Sequence, residues 1–156
     1  MQVDLKQLPA LRVATIRHVG PYEHITPAFE RLGALAGPAG LFERPETQLI
    51  AIYHDDPQTT AAEALRSDAG LVVAEDARLP AGVVEQRLGG GRYACTLHVG
   101  SYKTLGDTWS RFLHGWLPSS GHRAGKGPPY EVYLNNPHDT AEDQLRTELR
   151  IPIADA

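Results

Sequence analysis

Cysteine is almost missing from this chain: Cys95 is the single one in 156 residues, so no intramolecular disulfide and no cysteine-built metal cluster can form. It stands in the alternating run Arg92-Tyr93-Ala94-Cys95-Thr96-Leu97, where a buried inert thiol is expected rather than a nucleophile. Excess positive charge is missing too. The net charge is -4 and the 15 lysines and arginines are scattered, so direct binding to nucleic acid has no electrostatic footprint. No apolar run approaches the roughly 20 residues that cross a bilayer. Met1-Gln2-Val3-Asp4-Leu5-Lys6 lacks the basic-then-apolar order of a signal peptide. A cytoplasmic protein with no membrane partner is therefore expected. No His-x-x-x-His or Cys-x-x-Cys spacing occurs, and Gly89-Gly90-Gly91 is followed by neither Lys-Ser/Thr nor a helix pattern. Neither a metal nor a cofactor is expected, and no serine triad can be assembled from residue order.

What the chain does have is an internal repeat, the feature to seek first because a missed period misreads the whole fold. His18-Val19-Gly20-Pro21-Tyr22 returns eighty residues on as His98-Val99-Gly100-Ser101-Tyr102. Tyr53-His54-Asp55-Asp56-Pro57 returns at the same offset as Tyr133-Leu134-Asn135-Asn136-Pro137. Thr60, Ala61, Leu65 and Arg66 are matched by Thr140, Ala141, Leu145 and Arg146, and Leu8, Arg12, Ala14, Arg31 and Pro38 by Leu88, Arg92, Ala94, Arg111 and Pro118. An ungapped match along nearly the whole half is duplication. The length suits one domain over residues 1–156, with repeats 1–80 and 81–156.

Each repeat reads alike. Residues 11–19 and 92–99 are rich in β-branched and apolar types and stop at a glycine, which predicts strands. Helical spacing follows in Ile25, Phe29, Leu32 and Leu35, and again in Leu105, Trp109, Phe112, Leu113 and Trp116, with Pro38 and Pro118 as stops. Two strands complete each repeat: 48–53 and 71–74 in the first, 130–134 and 149–153 in the second. Leading strands are expected at Val3 to Leu8 and Val83 to Leu88. The stretch from Pro118 to Pro129, rich in Gly, Pro and Ser, suits a mobile edge of a site, more so than its counterpart from Pro38 to Thr47. The predicted fold is α+β: two tandem strand-helix-strand-strand modules about a pseudo-twofold axis, antiparallel, with helices on one side and a central groove as the natural ligand site.

The repeat also serves as an internal control. Where both copies keep a residue, architecture is the first explanation; where one departs, function becomes admissible. Glu131 is the departure, because its partner is Ala51. A carboxylate on this strand either points to solvent or faces the core, paired or with its pKa raised. Tyr133 shares its face at period two. Trp109 aligns with Phe29, so a core aromatic is expected there, with Trp109 able also to hold a planar or cationic ligand; Trp116 is read as packing. Tyr22 and Tyr102 follow the strand-ending turns, and their recurrence indicates structure, with a rim phenol as the functional alternative. Tyr53 and Tyr133 lie nearer the groove. His18 and His98 read as satisfied structural residues, and Asp55-Asp56 and Asn135-Asn136 as turn chemistry before proline.

Over Arg12 to Tyr22, Ile50 to Pro57, Arg92 to Tyr102 and Pro128 to Pro137, the chain resembles the GyrI-like family. That family comprises stand-alone DNA gyrase inhibitors and the effector-binding domains of AraC-type and MerR-type regulators. The resemblance covers essentially the whole chain. It implies a curved sheet and a pocket for lipophilic, often cationic or planar, compounds. The matching strand carries a pocket glutamate, here Glu131, with Tyr133, Trp109, Tyr53 and Tyr102 as candidate ligand contacts. It implies a small-molecule ligand, and DNA gyrase or another protein as a macromolecular partner. Two readings stay open: a binding module, which leads, and a hydrolase of electrophilic cyclopropane-bearing compounds that uses Glu131 and a tyrosine. No helix-turn-helix pattern precedes the repeat, so any regulatory action is expected through other contacts.

Overall fold

The structure is a computed structural model that describes residues 1–45 and 47–154. The chain forms two compact units, one spanning Ala10–Gly89 and the other combining Met1–Pro9 with the chain from Gly90 onward. No helix among the described residues is long and apolar enough to cross a membrane.

In the first unit, β2 (Leu11–Val19) and β4 (Arg66–Val73) pair antiparallel, with Arg12 opposite Val73 and Val19 opposite Arg66. β3 (Gln48–Tyr53) adds to β4 and β5 (Val84–Leu88) adds to β2, giving the order β3-β4-β2-β5. Helix α1 (Thr26–Ala36) covers one face. It starts with Pro27 in its first turn and ends at Gly37, just before Pro38. Alternation along the strands sends Ala14, Ile16, Ala69, Leu71 and Val73 to the helix, where they pack on Ala28, Leu32 and Ala36. Val13, Ile50 and Gly70 meet on the opposite face.

The second unit repeats this plan with β6 (Gly91–Val99), β7 (Tyr130–Tyr133) and β8 (Arg146–Pro152), and with β1 (Asp4–Leu8) at its edge, in the order β1-β6-β8-β7. Its helical cover begins as α2 (Leu105–Ser110), widens into a π-helical stretch, Arg111–Trp116, and closes with α3 (Leu117–Ser119). Phe112, Leu149, Ile151 and Ile153 form the core beneath it.

Three features differ from the sequence reading. The leading strands are exchanged: β1 belongs to the first repeat by sequence yet pairs with β6, and β5 belongs to the second yet pairs with β2. Pro118 does not stop the second helix. It follows the π-helical stretch and opens α3, where its missing N–H is least costly. The stretch after it is tied down, with Gly125 N donating to Pro152 O and Ala154 N to Arg123 O. Its counterpart before Thr47 contains Glu46, which lies outside the described residues.

Candidate functional site

β7 is short, and its alternation decides the site. Tyr130 and Val132 point away from the helix, so Glu131 and Tyr133 point under α2. Glu131 is 1% exposed. Its Oε1 accepts a hydrogen bond from Trp109 Nε1 at 2.7 Å, and its Oε2 accepts one from the Tyr133 hydroxyl at 2.6 Å. Both donors are aromatic and neutral, so the carboxylate gains hydrogen bonds without leaving an apolar surround. The Tyr102 ring lies 5.4 Å from that of Tyr133. Burial, and next the nearby Glu131 charge, raise the pKa of the Tyr102 phenol.

The structure thus brings Glu131, Trp109, Tyr133 and Tyr102 together within one unit. Tyr53 belongs to the other unit, where its ring packs 4.6 Å from Tyr22. There Ala51 stands in place of Glu131 and is fully buried. The two Tyr pairs are alike, but their hydroxyls are not. Tyr22 donates to Asp55 O at 2.5 Å, and its oxygen accepts from Asp55 N at 3.1 Å. Tyr102 makes no such hydrogen bond among the described residues.

Trp116 packs 5.6 Å from Phe112 and stacks on His122 at 6.2 Å. The recurring residues serve architecture. His18 Nε2 bonds Pro21 O at 2.9 Å, and His98 Nε2 bonds Ser101 O at 2.9 Å. Asp55 and Asn135 each accept the backbone N–H eleven residues on, from Arg66 and Arg146. Cys95 is buried, with its thiol pushed up to about 11 by desolvation. Among the described residues no group of three or more His, Cys, Asp and Glu could hold a metal ion.

Sequence reasoning did not single out Thr147, which lies opposite Tyr133 with a buried hydroxyl that has no hydrogen-bond partner among the described residues. Ser67, the equivalent in the other unit, shares that condition, so the shared architecture explains both.

A buried carboxylate framed by aromatic side chains, on an antiparallel sheet covered by one helix, defines a small-molecule-binding α+β domain. The chain belongs to the GyrI-like family: the profile of the GyrI-like small molecule binding domain matches residues 1–154. It is 34% identical over 159 residues to a DNA gyrase inhibitor of Edwardsiella piscicida, covering 98% of each chain. It is 31% identical to a protein of Escherichia coli strain K12 described as the probable transcriptional regulator YgiV, covering 99% of this chain and 97% of that one. In fold it is similar to SAV2435, solved bound to tetraphenylphosphonium, with a TM-score of 0.73 and 16% identity, covering 99% of this chain and 94% of that chain.

Proposed function

We propose that this protein binds lipophilic, cationic small molecules, with Glu131 as the charge that selects them. The observation that carries this reading is the burial of Glu131 beneath Trp109 with Tyr133 and Tyr102 alongside, at a position where the duplicated half has alanine. Aromatic faces and a shielded carboxylate attract a cation by both quadrupole and charge. A ligand that binds the folded state raises its melting temperature by linkage. Tetraphenylphosphonium should therefore raise it, and the tetraphenylborate anion should not; equal shifts would remove charge recognition. The relatives named for gyrase inhibition extend the reading to DNA gyrase as a protein target. A supercoiling assay with and without the protein tests that part by itself.

A second reading is supported by the Tyr102 phenol beside Glu131. In it the pair hydrolyses electrophilic cyclopropane-bearing compounds: Glu131 activates water or steadies a developing positive charge, and a tyrosine gives the proton. Incubation with such a compound separates the two. Binding leaves a stoichiometric complex, whereas hydrolysis gives catalytic loss that vanishes in Glu131→Gln.

A further inference from the structure

Asp68 is a second buried carboxylate, and the Glu131 site makes no use of it. It stands on β4 with 1% exposure, on the face turned away from α1. Three side chains donate to it: Arg17 Nε to Oδ1 at 2.7 Å, and His54 Nε2 and Gln86 Nε2 to Oδ2 at 2.5 Å and 2.9 Å. Gln86 also donates to Thr15 Oγ1 at 2.9 Å, and Thr15 in turn donates to Val84 O at 2.8 Å. Arg17 comes from β2, Gln86 from β5 and His54 from the residue after β3, so every strand of this unit fixes the group. Burial pushes the carboxyl upward, but the bonds from His54, Arg17 and Gln86 outweigh it and hold the group at about 2.

The other repeat shows what a purely structural answer looks like. Glu148, eighty residues on, is neutralised by Lys6 Nζ at 3.0 Å and Arg150 Nε at 2.6 Å. In place of Arg17 and His54 that repeat has Leu97 and Leu134. Around Asp68 one hydrogen-bond donor is instead an imidazole that remains 20% exposed, beside an arginine that is 46% exposed. An imidazole that gives its Nε2 proton to a carboxylate keeps a lone pair on Nδ1 in a fixed tautomer. Arg17 uses Nε for Asp68, and its terminal nitrogens make no hydrogen bond among the described residues. Imidazole and guanidinium thus flank one carboxylate, and neither side chain is fully buried.

We infer that His54, Asp68 and Arg17 form a second chemical site, in which His54 is a general base for hydrolysis of small, uncharged esters. Water attacks the acyl carbon while its proton passes to His54 Nδ1, and the carbonyl oxygen becomes an oxyanion held by the terminal nitrogens of Arg17. The tetrahedral species collapses, the bond from carbon to the alcohol oxygen breaks, and the imidazolium returns its proton to the leaving alkoxide. Acid and alcohol are the products, and no co-reactant other than water is consumed. Asp68 stays ionised and acts as a positioning residue that holds the ring and stabilises the imidazolium. The adjacent Asp55 is committed to Arg66 at 2.9 Å.

The test follows p-nitrophenyl acetate hydrolysis by the full chain, together with carbethoxylation of each histidine by diethyl pyrocarbonate, mapped by peptide mass spectrometry. His54→Gln keeps an amide donor for Asp68 and should fold, yet lower kcat/KM at least tenfold. Asp68→Asn should lower kcat with KM nearly unchanged and slow carbethoxylation of His54 several-fold. The exposed rings of His24 and His138 should react as before, a split that general loosening of the fold would not produce. Hydrolysis unchanged in His54→Gln, or carbethoxylation of His54 indifferent to Asp68→Asn, overturns the inference.

Discussion

Glu131 and Ala51 occupy equivalent places, and the contrast between them sets what one carboxylate can contribute. An exposed ion pair is worth about 0 to 1 kcal/mol, whereas the same charge in a shielded, aromatic setting acts in a lower effective dielectric. Glu131→Gln is isosteric and retains an acceptor for Trp109 Nε1, so the fold should persist. A fluorescent lipophilic cation should nevertheless bind it about tenfold or more weakly, equivalent to ~1.4 kcal/mol. Glu142, exposed in the turn before β8, is the matched control. Glu148 is unsuitable, because its ion pairs with Lys6 and Arg150 make it structural. Unchanged affinity in Glu131→Gln, or equal loss in the Glu142 variant, would reduce Glu131 to a packing residue. Asp68 predicts a pH effect instead. Its pKa is depressed from 3.8 to about 2, so its stabilisation is fully present above the higher value and is lost as pH falls through the lower. Acid unfolding monitored by circular dichroism should steepen between about pH 4 and 2. Asp68→Asn should be less stable at neutral pH and flatter across that window; an unchanged profile would show that the hydrogen bonds to Asp68 add nothing. The two carboxylates were not equally readable. Comparison of the repeats picks out Glu131 as one unmatched residue, whereas the partners of Asp68 come from β2, β5 and the residue after β3. The differences at His54 and Arg17 were visible, but nothing in a linear sequence joins them.

The strands rich in β-branched residues were readable at the level of elements, because alternation is a local property. β2 and β6 fall where their apolar runs lie. β4 was underestimated: it begins at Arg66, five residues before the predicted start, through Arg-Ser-Asp-Ala-Gly. That polar opening is tolerated because Asp68 finds donors on β2 and β5 and because Gly70 admits its neighbours. A Cβ on Gly70 would lie 2.8 Å from Val13 Cγ1 and 3.0 Å from Ile50 Cγ1. Both neighbours are β-branched and stiff, so Gly70→Ala should destabilise by about 1 to 3 kcal/mol through overpacking. Urea denaturation measures it. Gly89, with nothing within 4 Å of its would-be Cβ, is the comparison, and its alanine variant should change little. Equal effects would show that the close approach on this face is not limiting. The second helix was readable at its start but not at its end. Proline stops a helix by lacking a donor and by colliding with the preceding turn, and the π-helical stretch before α3 changes the turn on which that rule depends.

In the whole molecule, the eighty-residue repeat was readable in the sequence and the exchange of leading strands was not, because nothing in the short runs Asp4–Leu8 and Val84–Leu88 marks one partner strand over the other. The exchange has consequences that reach the ligand site. β1 supplies Lys6 to Glu148, while the segment before it gives the Gln2 carbonyl to Thr96 Oγ1 at 2.7 Å and packs Val3 against the core under Trp109 and Trp116. Nine residues at the start of the chain therefore support the unit that carries Glu131, not the repeat to which they belong by sequence. Deleting residues 1–9 should leave β6 with an unpaired edge, and its backbone hydrogen bonds should open at lower free energy. Amide exchange followed residue by residue should show protection falling at least tenfold along β6 and β8, while β2 and β4 keep theirs. Binding of the fluorescent cation should weaken in the same variant, although Trp109 and Tyr133, which donate hydrogen bonds to Glu131, are untouched. Loss of protection spread evenly over both units would mean that the chain opens as one cooperative body. In that case the exchanged strand would be a global fastener, and its link to the Glu131 unit would carry no special weight.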